Sequence, residues 1–188
     1  MPVSGNVVID RIFMLNTIYI ATSLDGYIAR LDGSIDWLMD IPNPDGSDFG
    51  FGDFIKRIDA IVMGRNTYQT VEAFGSWPYT KPVFLLSTTL KKDQLKYRDK
   101  VEILSGTPEE IVNTLNGRNY RNLYIDGGET IRRFLERGLI DEMIITKIPV
   151  LLGSGIPLFG GIETEQKFRH AKTEILNDSL VKSYYEKI

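Results

Sequence analysis

Ala60-Ile61-Val62-Met63-Gly64-Arg65-Asn66-Thr67-Tyr68 is the stretch that decides the fold. Four apolar residues end at Gly64. Thr67, Tyr68, Val71 and Phe74 then recur at helical spacing until Gly75. The pattern predicts a strand, a tight turn and a helix. The same order returns at Leu123-Tyr124-Ile125-Asp126, where Gly127-Gly128 lead into a helix with Ile131, Phe134 and Leu135 inward and Gly138 at its end. Between the two, Pro82 to Leu86 is one apolar run, as expected of a strand buried on both faces. Val101 to Leu104 is a further short strand, and Thr107-Pro108-Glu109-Glu110 starts a helix. There Thr107 can accept the Glu110 backbone N–H, the Glu110 side chain can reach back, and proline suits the first helical position. Ile111, Val112 and Leu115 are that helix's apolar face, and Gly117 ends it.

Working outward, Ile18 to Leu24 is a strand bounded by the turn pair Asp25-Gly26. Tyr27 to Leu31 reads as its short continuation, ended by Asp32-Gly33. Residues 40–53 carry Pro42, Pro44, Gly46, Gly50 and Gly52 and read as a mobile loop before a short helix through Phe54, Ile55 and Ile58. Met143 to Leu152 is a strand in which Pro149 marks a bulge or an edge. Residues 168–176 and 180–188 form an antiparallel hairpin around Asn177-Asp178. Repeated alternation of strand and helix argues for one α/β domain: a central, mostly parallel sheet with helices on both faces and an antiparallel C-terminal hairpin. Residues 1–16 are taken as an extension leading into the first strand, with Met14 as an alternative start, and residues 17–188 as the domain.

Composition excludes several classes. With 188 residues, one domain is expected. Its 22 basic and 25 acidic residues leave a net charge of −3, against the basic face that nucleic-acid binding needs. The absence of cysteine removes disulfide scaffolds, cysteine-ligated zinc and thiolate nucleophiles. A single histidine leaves no His-rich metal site, and no metal is expected. The acidic run at Asp40, Asp45 and Asp48 lacks the spacing of a calcium loop. No apolar run is long enough to span a bilayer, and residues 1–16 lack the pattern of a secretory signal, so a cytoplasmic protein is the expectation.

In open α/β sheets, ligands bind at the carboxyl ends of strands beside helix N-termini. Two strand ends carry glycine followed by a helix: Gly64-Arg65-Asn66-Thr67 and Gly127-Gly128-Glu129-Thr130. Free N–H groups there attract an anion such as a diphosphate, and glycine lets it approach closely. Taken singly, each glycine also fits a plain turn. A third strand end, Leu86-Ser87-Thr88-Thr89, offers hydroxyls where an NAD site has a carboxylate. With Arg65 nearby and Lys91 and Lys92 following, it suits a 2′-phosphate, which favours NADPH over NADH.

Met63-Gly64-Arg65-Asn66-Thr67-Tyr68 with Leu86-Ser87-Thr88 resembles the cofactor frame of dihydrofolate reductases. Ser23-Leu24-Asp25-Gly26-Tyr27-Ile28-Ala29 and Pro149-Val150-Leu151-Leu152-Gly153-Ser154-Gly155-Ile156-Pro157-Leu158-Phe159 bring the resemblance closer to the reductase domain of bifunctional riboflavin-biosynthesis deaminase–reductases and their stand-alone relatives. It runs from about Thr17 to the C-terminus. The resemblance implies a dihydrofolate reductase-like three-layer sandwich, a homodimer, and NADPH-dependent reduction of a C=N or C=O bond in a small heterocyclic or ribosylamino-pyrimidine-like substrate. It also implies roles for single residues. Gly64, Arg65 and Thr67 would face the cofactor phosphates, with Arg65 toward the 2′-phosphate. Ser87 and Thr88 would line the adenosine end. Gly127, Gly128, Glu129 and Thr130 would lie against the diphosphate and nicotinamide, and Ala21, Ile28 and Ala29 would flank the nicotinamide ring. Leu151 and Gly153 would border the substrate. Trp37 is kept from a substrate-holding segment whose following arginine is missing here, and it reads as cleft wall or stacking platform.

Hydride transfer needs the reacting carbons held about 3–3.5 Å apart with water largely excluded, and a proton must also reach the product. Asp25, Asp36, Asp48 and Asp53 are the candidate carboxylates, each also readable as a turn, cap or solvated residue. Two alternatives stay open: a pterin or dihydrofolate reductase, in which Asp48 or Asp53 would contact substrate, and a non-catalytic nucleotide-binding module.

Overall fold

Strands and helices alternate through residues 14–188, which are the residues described by a computed structural model of the chain. Strands β1 (Leu15–Thr22) and β2 (Tyr27–Ala29) precede two short helices, α1 (Asp36–Met39) and α2 (Phe51–Lys56). Then come β3 (Ala60–Gly64), α3 (Arg65–Ala73), β4 (Val83–Leu86), β5 (Val101–Leu104), α4 (Pro108–Gly117), β6 (Asn122–Asp126) and α5 (Gly128–Glu136). The chain closes with β7 (Glu142–Lys147), β8 (Ile156–Pro157), β9 (Phe168–Leu176) and β10 (Leu180–Lys187).

Eight strands form one sheet in the order β5-β4-β3-β6-β1-β7-β10-β9. Neighbours from β5 through β7 run parallel, and β10 pairs antiparallel with both β7 and β9. Period-two alternation places the layers. Ala60 and Val62 of β3 join the core under α4 and α5, which contribute Ile111, Leu115, Ile131 and Phe134. Ile61 and Met63 face the opposite core, with Phe54 of α2 and Tyr68 of α3. All four β3 side chains are fully buried, which explains why this strand reads as continuously apolar. The result is the expected three-layer α/β sandwich.

The local differences from the sequence reading have physical causes. β1 is displaced toward the N-terminus and ends at Thr22, because Ser23 already turns, donating its N–H to the Tyr27 carbonyl. β2 does not continue β1 in the main sheet. It pairs with β8 in a separate two-stranded ribbon, Tyr27 opposite Pro157. β7 stops at Lys147, so Pro149, which cannot donate to a ladder, lies beyond the strand and makes no bulge within it. Inside the proline- and glycine-rich segment, Phe49 and Gly50 adopt positive φ (54° and 84°) just ahead of α2. Asn177 and Asp178 also take positive φ (47° and 54°), as a tight hairpin turn demands. The reading of residues 1–13 as an extension lies outside the described residues. Among the described residues, no helix is long and apolar enough to cross a membrane.

Candidate functional site

A cleft of ≈ 1260 Å³ runs along the carboxyl ends of β5, β4, β3, β6 and β1. Five adjacent strands span four inter-strand gaps, about 19 Å at roughly 4.8 Å each. All twelve residues expected at a cofactor line this one cleft: Ala21, Ile28, Ala29, Gly64, Arg65, Thr67, Ser87, Thr88, Gly127, Gly128, Glu129 and Thr130. Lys91 and Lys92 are not in its lining.

Among the three longer helices, α3, α4 and α5, the starts differ according to where they face. α4 has the full capping box, with Glu110 N–H donating to Thr107 Oγ1 at 3.3 Å and Thr107 N–H to Glu110 Oε2 at 2.8 Å. α3 and α5 begin on the cleft at Gly64 and Gly127, and neither has a side-chain cap. Apart from the Gly127 N–H, which bonds the Asp126 carboxyl, their first N–H groups and the positive ends of their dipoles are left for an anion. At Gly127 packing as well as ligand access demands glycine, and at Gly64 and Gly128 a side chain would crowd its neighbours. A Cβ on Gly127, whose φ is +89°, would sit 1.9 Å from Thr67 Oγ1, one on Gly128 would lie 2.5 Å from Ile28 Cδ1, and one on Gly64 would lie 3.0 Å from Thr130 Oγ1. Three arginines line the same region. Arg133 donates to the Gly106 carbonyl, Arg132 pairs with Glu129, and Arg65 makes no ion pair among the described residues. This donor set fits a phosphorylated dinucleotide.

Toward β1 the lining changes. Ile28, Ala29, Ile156 and Pro157 bring the β2–β8 ribbon over the start of α5. Elsewhere in the lining, Leu31, Ile35, Leu38 and Phe74 contribute apolar surface, and Asp32 and Asp126 contribute carboxylates. Asp126 is the last residue of β6, and the Tyr79 hydroxyl donates to it over 3.4 Å. Burial pushes its carboxyl up to about 6, against hydrogen bonds from the Gly127 N–H and Tyr79, while the neighbouring Tyr124 hydroxyl donates to the Tyr19 carbonyl at 3.0 Å. Sequence reasoning missed Asp126. The available signal was its position at a strand's carboxyl end, directly before Gly127-Gly128.

The residues expected to act on substrate lie elsewhere, since none of Asp25, Asp48, Asp53, Trp37, Leu151 or Gly153 lines the cleft. Asp25 accepts from Ser23 Oγ (2.6 Å), Gly153 N–H (2.7 Å) and Leu152 N–H (3.2 Å). The Ser23 bond, followed by the two backbone bonds, holds its carboxyl below the usual range against partial desolvation. It ties the β1–β2 turn to the loop before β8. Asp48 accepts from Gly50 and Gly52 N–H, at 2.8 and 2.9 Å, and so caps α2. Asp53 pairs with Lys56 on the surface, and Asp36 forks to Arg30. Trp37 is buried with Ile148 and Leu180, while Leu151 is 71% exposed. Among the described residues, no group of three or more His, Asp or Glu side chains gathers as a metal site.

Comparison with known proteins agrees with this geometry. A family model described as the RibD C-terminal domain matches residues 16–182. The uncharacterized protein YwjB of Bacillus subtilis (strain 168) is 38% identical over 155 residues, covering 81% of this chain and 86% of that protein. A putative riboflavin biosynthesis protein from Shewanella sp. PV-4 superposes with a TM-score of 0.89 at 48% identity, covering 93% of this chain and 99% of that one. A diaminohydroxyphosphoribosylaminopyrimidine deaminase/5-amino-6-(5-phosphoribosylamino)uracil reductase from Thermotoga maritima has the same fold, with a TM-score of 0.71 at 15% identity. The match covers 94% of this chain and 57% of that one.

Proposed function

Because the chain belongs to the family of RibD C-terminal domains, we propose that it is an NADPH-dependent reductase, delivering hydride to a C=N or C=O carbon of a small heterocyclic, ribosylamino-pyrimidine-like substrate. The observation that carries this reading is the pair of uncapped helix starts, α3 and α5, opening on one cleft beside Arg65. The Shewanella protein's description supports the pathway at 48% identity. The folate-type alternative needs Asp48 or Asp53 at the substrate, and both lie outside the cleft lining.

When bound, the reduced nicotinamide supplies the hydride. The protein binds, orients and excludes water. The N–H groups of α3 and α5 would hold the diphosphate, and Arg65 with Ser87 and Thr88 would hold the 2′-phosphate end. Ala21, Ile28 and Ala29 leave a flat, apolar slot for the ring. Asp126 keeps a proton to a higher pH than an ordinary carboxyl, and its oxygens can pass that proton to a product nitrogen or oxygen directly or through one water. The reading includes a cytoplasmic setting and a homodimer, the latter tested by sedimentation.

Calorimetric titration with NADPH and NADH, on the wild type and Arg65→Ala, tests the cofactor. NADPH should bind more tightly, and the variant should lose about 1–3 kcal/mol for NADPH, the worth of a charge-assisted hydrogen bond, with little change for NADH. Binding of neither cofactor to the wild type sinks the reductase reading.

A further inference from the structure

Resting on the reductase reading, we propose that Tyr79 is the positioning residue for the Asp126 carboxyl: its hydroxyl holds Oδ2, so that the proton Asp126 delivers is kept on the other oxygen. Tyr79 is the one tyrosine in the described cleft lining, and it donates to Asp126 Oδ2 over 3.4 Å. Tyr124 lies beside the same carboxyl, but a hydroxyl carries one proton, and Tyr124 spends it on the Tyr19 carbonyl at 3.0 Å. The Gly127 N–H reaches the carboxyl from the main chain. Asp126 makes no ion pair among the described residues, and no charged side chain is among the causes of its raised carboxyl. A donor on one carboxyl oxygen favours negative charge there and disfavours a proton. Holding Oδ2 therefore orients the carboxyl group and selects the oxygen that carries the proton.

Tyr79 belongs to neither helix nor strand. It lies in the segment between α3 and β4, and an aromatic clamp braces that segment. Trp77 packs edge-on against the Tyr79 ring, with centroids 5.5 Å apart at 79°. The same indole meets Tyr68 of α3 at 6.3 Å and Tyr97, ahead of β5, at 5.2 Å. Tyr68 and Tyr97 are tied to each other, since the Tyr97 N–H donates to the Tyr68 hydroxyl at 3.1 Å and Tyr68 donates to Glu72 at 2.8 Å. A loop is thus held against two elements, and the tyrosine it carries enters the cleft with its ring fixed. Ring packing alone would be served equally by phenylalanine. The hydroxyl needs a partner once the ring is partly buried, and Asp126 is that partner.

The test is a carbon-13 NMR titration of the Asp126 carboxyl, whose signal is identified by its loss in Asp126→Asn. Tyr79→Phe keeps the ring and its packing and removes only the hydroxyl. It should raise the Asp126 midpoint by about 0.5–1 pH unit, roughly 3–10-fold in proton affinity, the worth of one hydrogen bond to the ionised form. Tyr124→Phe should leave the midpoint in place or lower it, because its proton belongs to the Tyr19 carbonyl. An unmoved midpoint in Tyr79→Phe overturns the proposal, and so does a rise of the same size in Tyr124→Phe. The reductase reading is checked apart from this, by calorimetric titration of the wild type with NADPH. Binding of NADPH with an unmoved midpoint in Tyr79→Phe refutes the role of Tyr79 alone, whereas no binding removes the reductase reading and, with it, any delivery of a proton by Asp126.

Discussion

Replacing Gly127 with alanine strikes the cleft at its tightest point. Gly127 sits at φ +89° and ψ 138° at the start of α5, a conformation that L side chains rarely adopt. Holding a non-glycine residue in so sparsely populated a region costs about 1–3 kcal/mol. The new Cβ would lie 1.9 Å from Thr67 Oγ1 and 3.1 Å from Thr67 Cβ. Ordinary contact begins near 3.4 Å, so Thr67 must retreat by 3.4 − 1.9 = 1.5 Å. Such overpacking costs typically about 1–3 kcal/mol more. The variant should therefore lose about 2–6 kcal/mol in urea unfolding, with an unchanged m-value. The double variant Thr67→Ala/Gly127→Ala removes the 1.9 Å clash with the hydroxyl, leaves a Cβ–Cβ approach of 3.1 Å that a shift of a few tenths of an ångström relieves, and keeps the backbone strain, so about 1–3 kcal/mol of the loss should remain. Thermal melting gives an independent reading, at about 2–4 °C per kcal/mol for a chain of this size. Two results refute the reasoning: a single variant within about 0.5 kcal/mol of wild type, an ordinary surface effect, or a double variant restored to full stability.

Asp126 gives a pH signature. Its carboxyl is raised from 3.8 to about 6, so the folded chain holds a proton the unfolded chain has released, and the associated stability is full below about pH 4 and lost as pH rises through about 6. Asp126→Asn should flatten urea stability across that window and exceed wild type at pH 8 by up to about 3 kcal/mol. Glu174 behaves oppositely. Its bond from Lys172, with help from Tyr184 and Lys182 against partial desolvation, lowers it to about 2, so its contribution is present above about pH 4.5 and fades on acidification. Lys182→Met should raise that carboxyl part of the way in an NMR titration. It should cost only about 1 kcal/mol, because Tyr19 still donates to the Phe49 carbonyl at 2.9 Å. Thr107→Ala should remove the α4 cap for about 1 kcal/mol in unfolding experiments, with NADPH affinity unchanged because α4 does not line the cleft.

The βαβ core was legible because its signals are local. An apolar run, a glycine and a helical stripe lie within a dozen residues at Ala60–Phe74 and again at Leu123–Leu135. The capping box at Thr107 and the hairpin at Asn177-Asp178 are local in the same way. The rule that parallel strands end at a binding cleft points to nine of the twelve lining residues, at the ends of β3, β4 and β6, while Ala21, Ile28 and Ala29 come only from the family resemblance. What escaped depends on contacts between distant segments. Nothing near Tyr27 announces that it pairs with Pro157 instead of extending β1. Asp25, Asp48 and Asp53 carry the right chemistry for catalysis, yet each is engaged by a turn, a helix start or a neighbouring lysine. Composition cannot distinguish those uses. Asp126 read as an ordinary strand terminus because the features that set it apart, its burial and Tyr79's approach from another loop, appear only in three dimensions.

The place of β1 in the sheet bears on how the chain is made. β1 lies between β6 and β7, so one of its hydrogen-bonding edges stays unsatisfied until Asp126 and the other until Lys147 has been synthesised, 125 residues after Thr22. At about 5–20 residues per second, that wait is roughly 6–25 s on the ribosome. β3, β4 and β5 can associate meanwhile, since they neighbour one another in order. The nascent N-terminal strand must wait without finding a stray partner. Asn16, Thr17 and Thr22, polar residues buried inside β1 in the finished sheet, lower the apolar character of that strand while it waits.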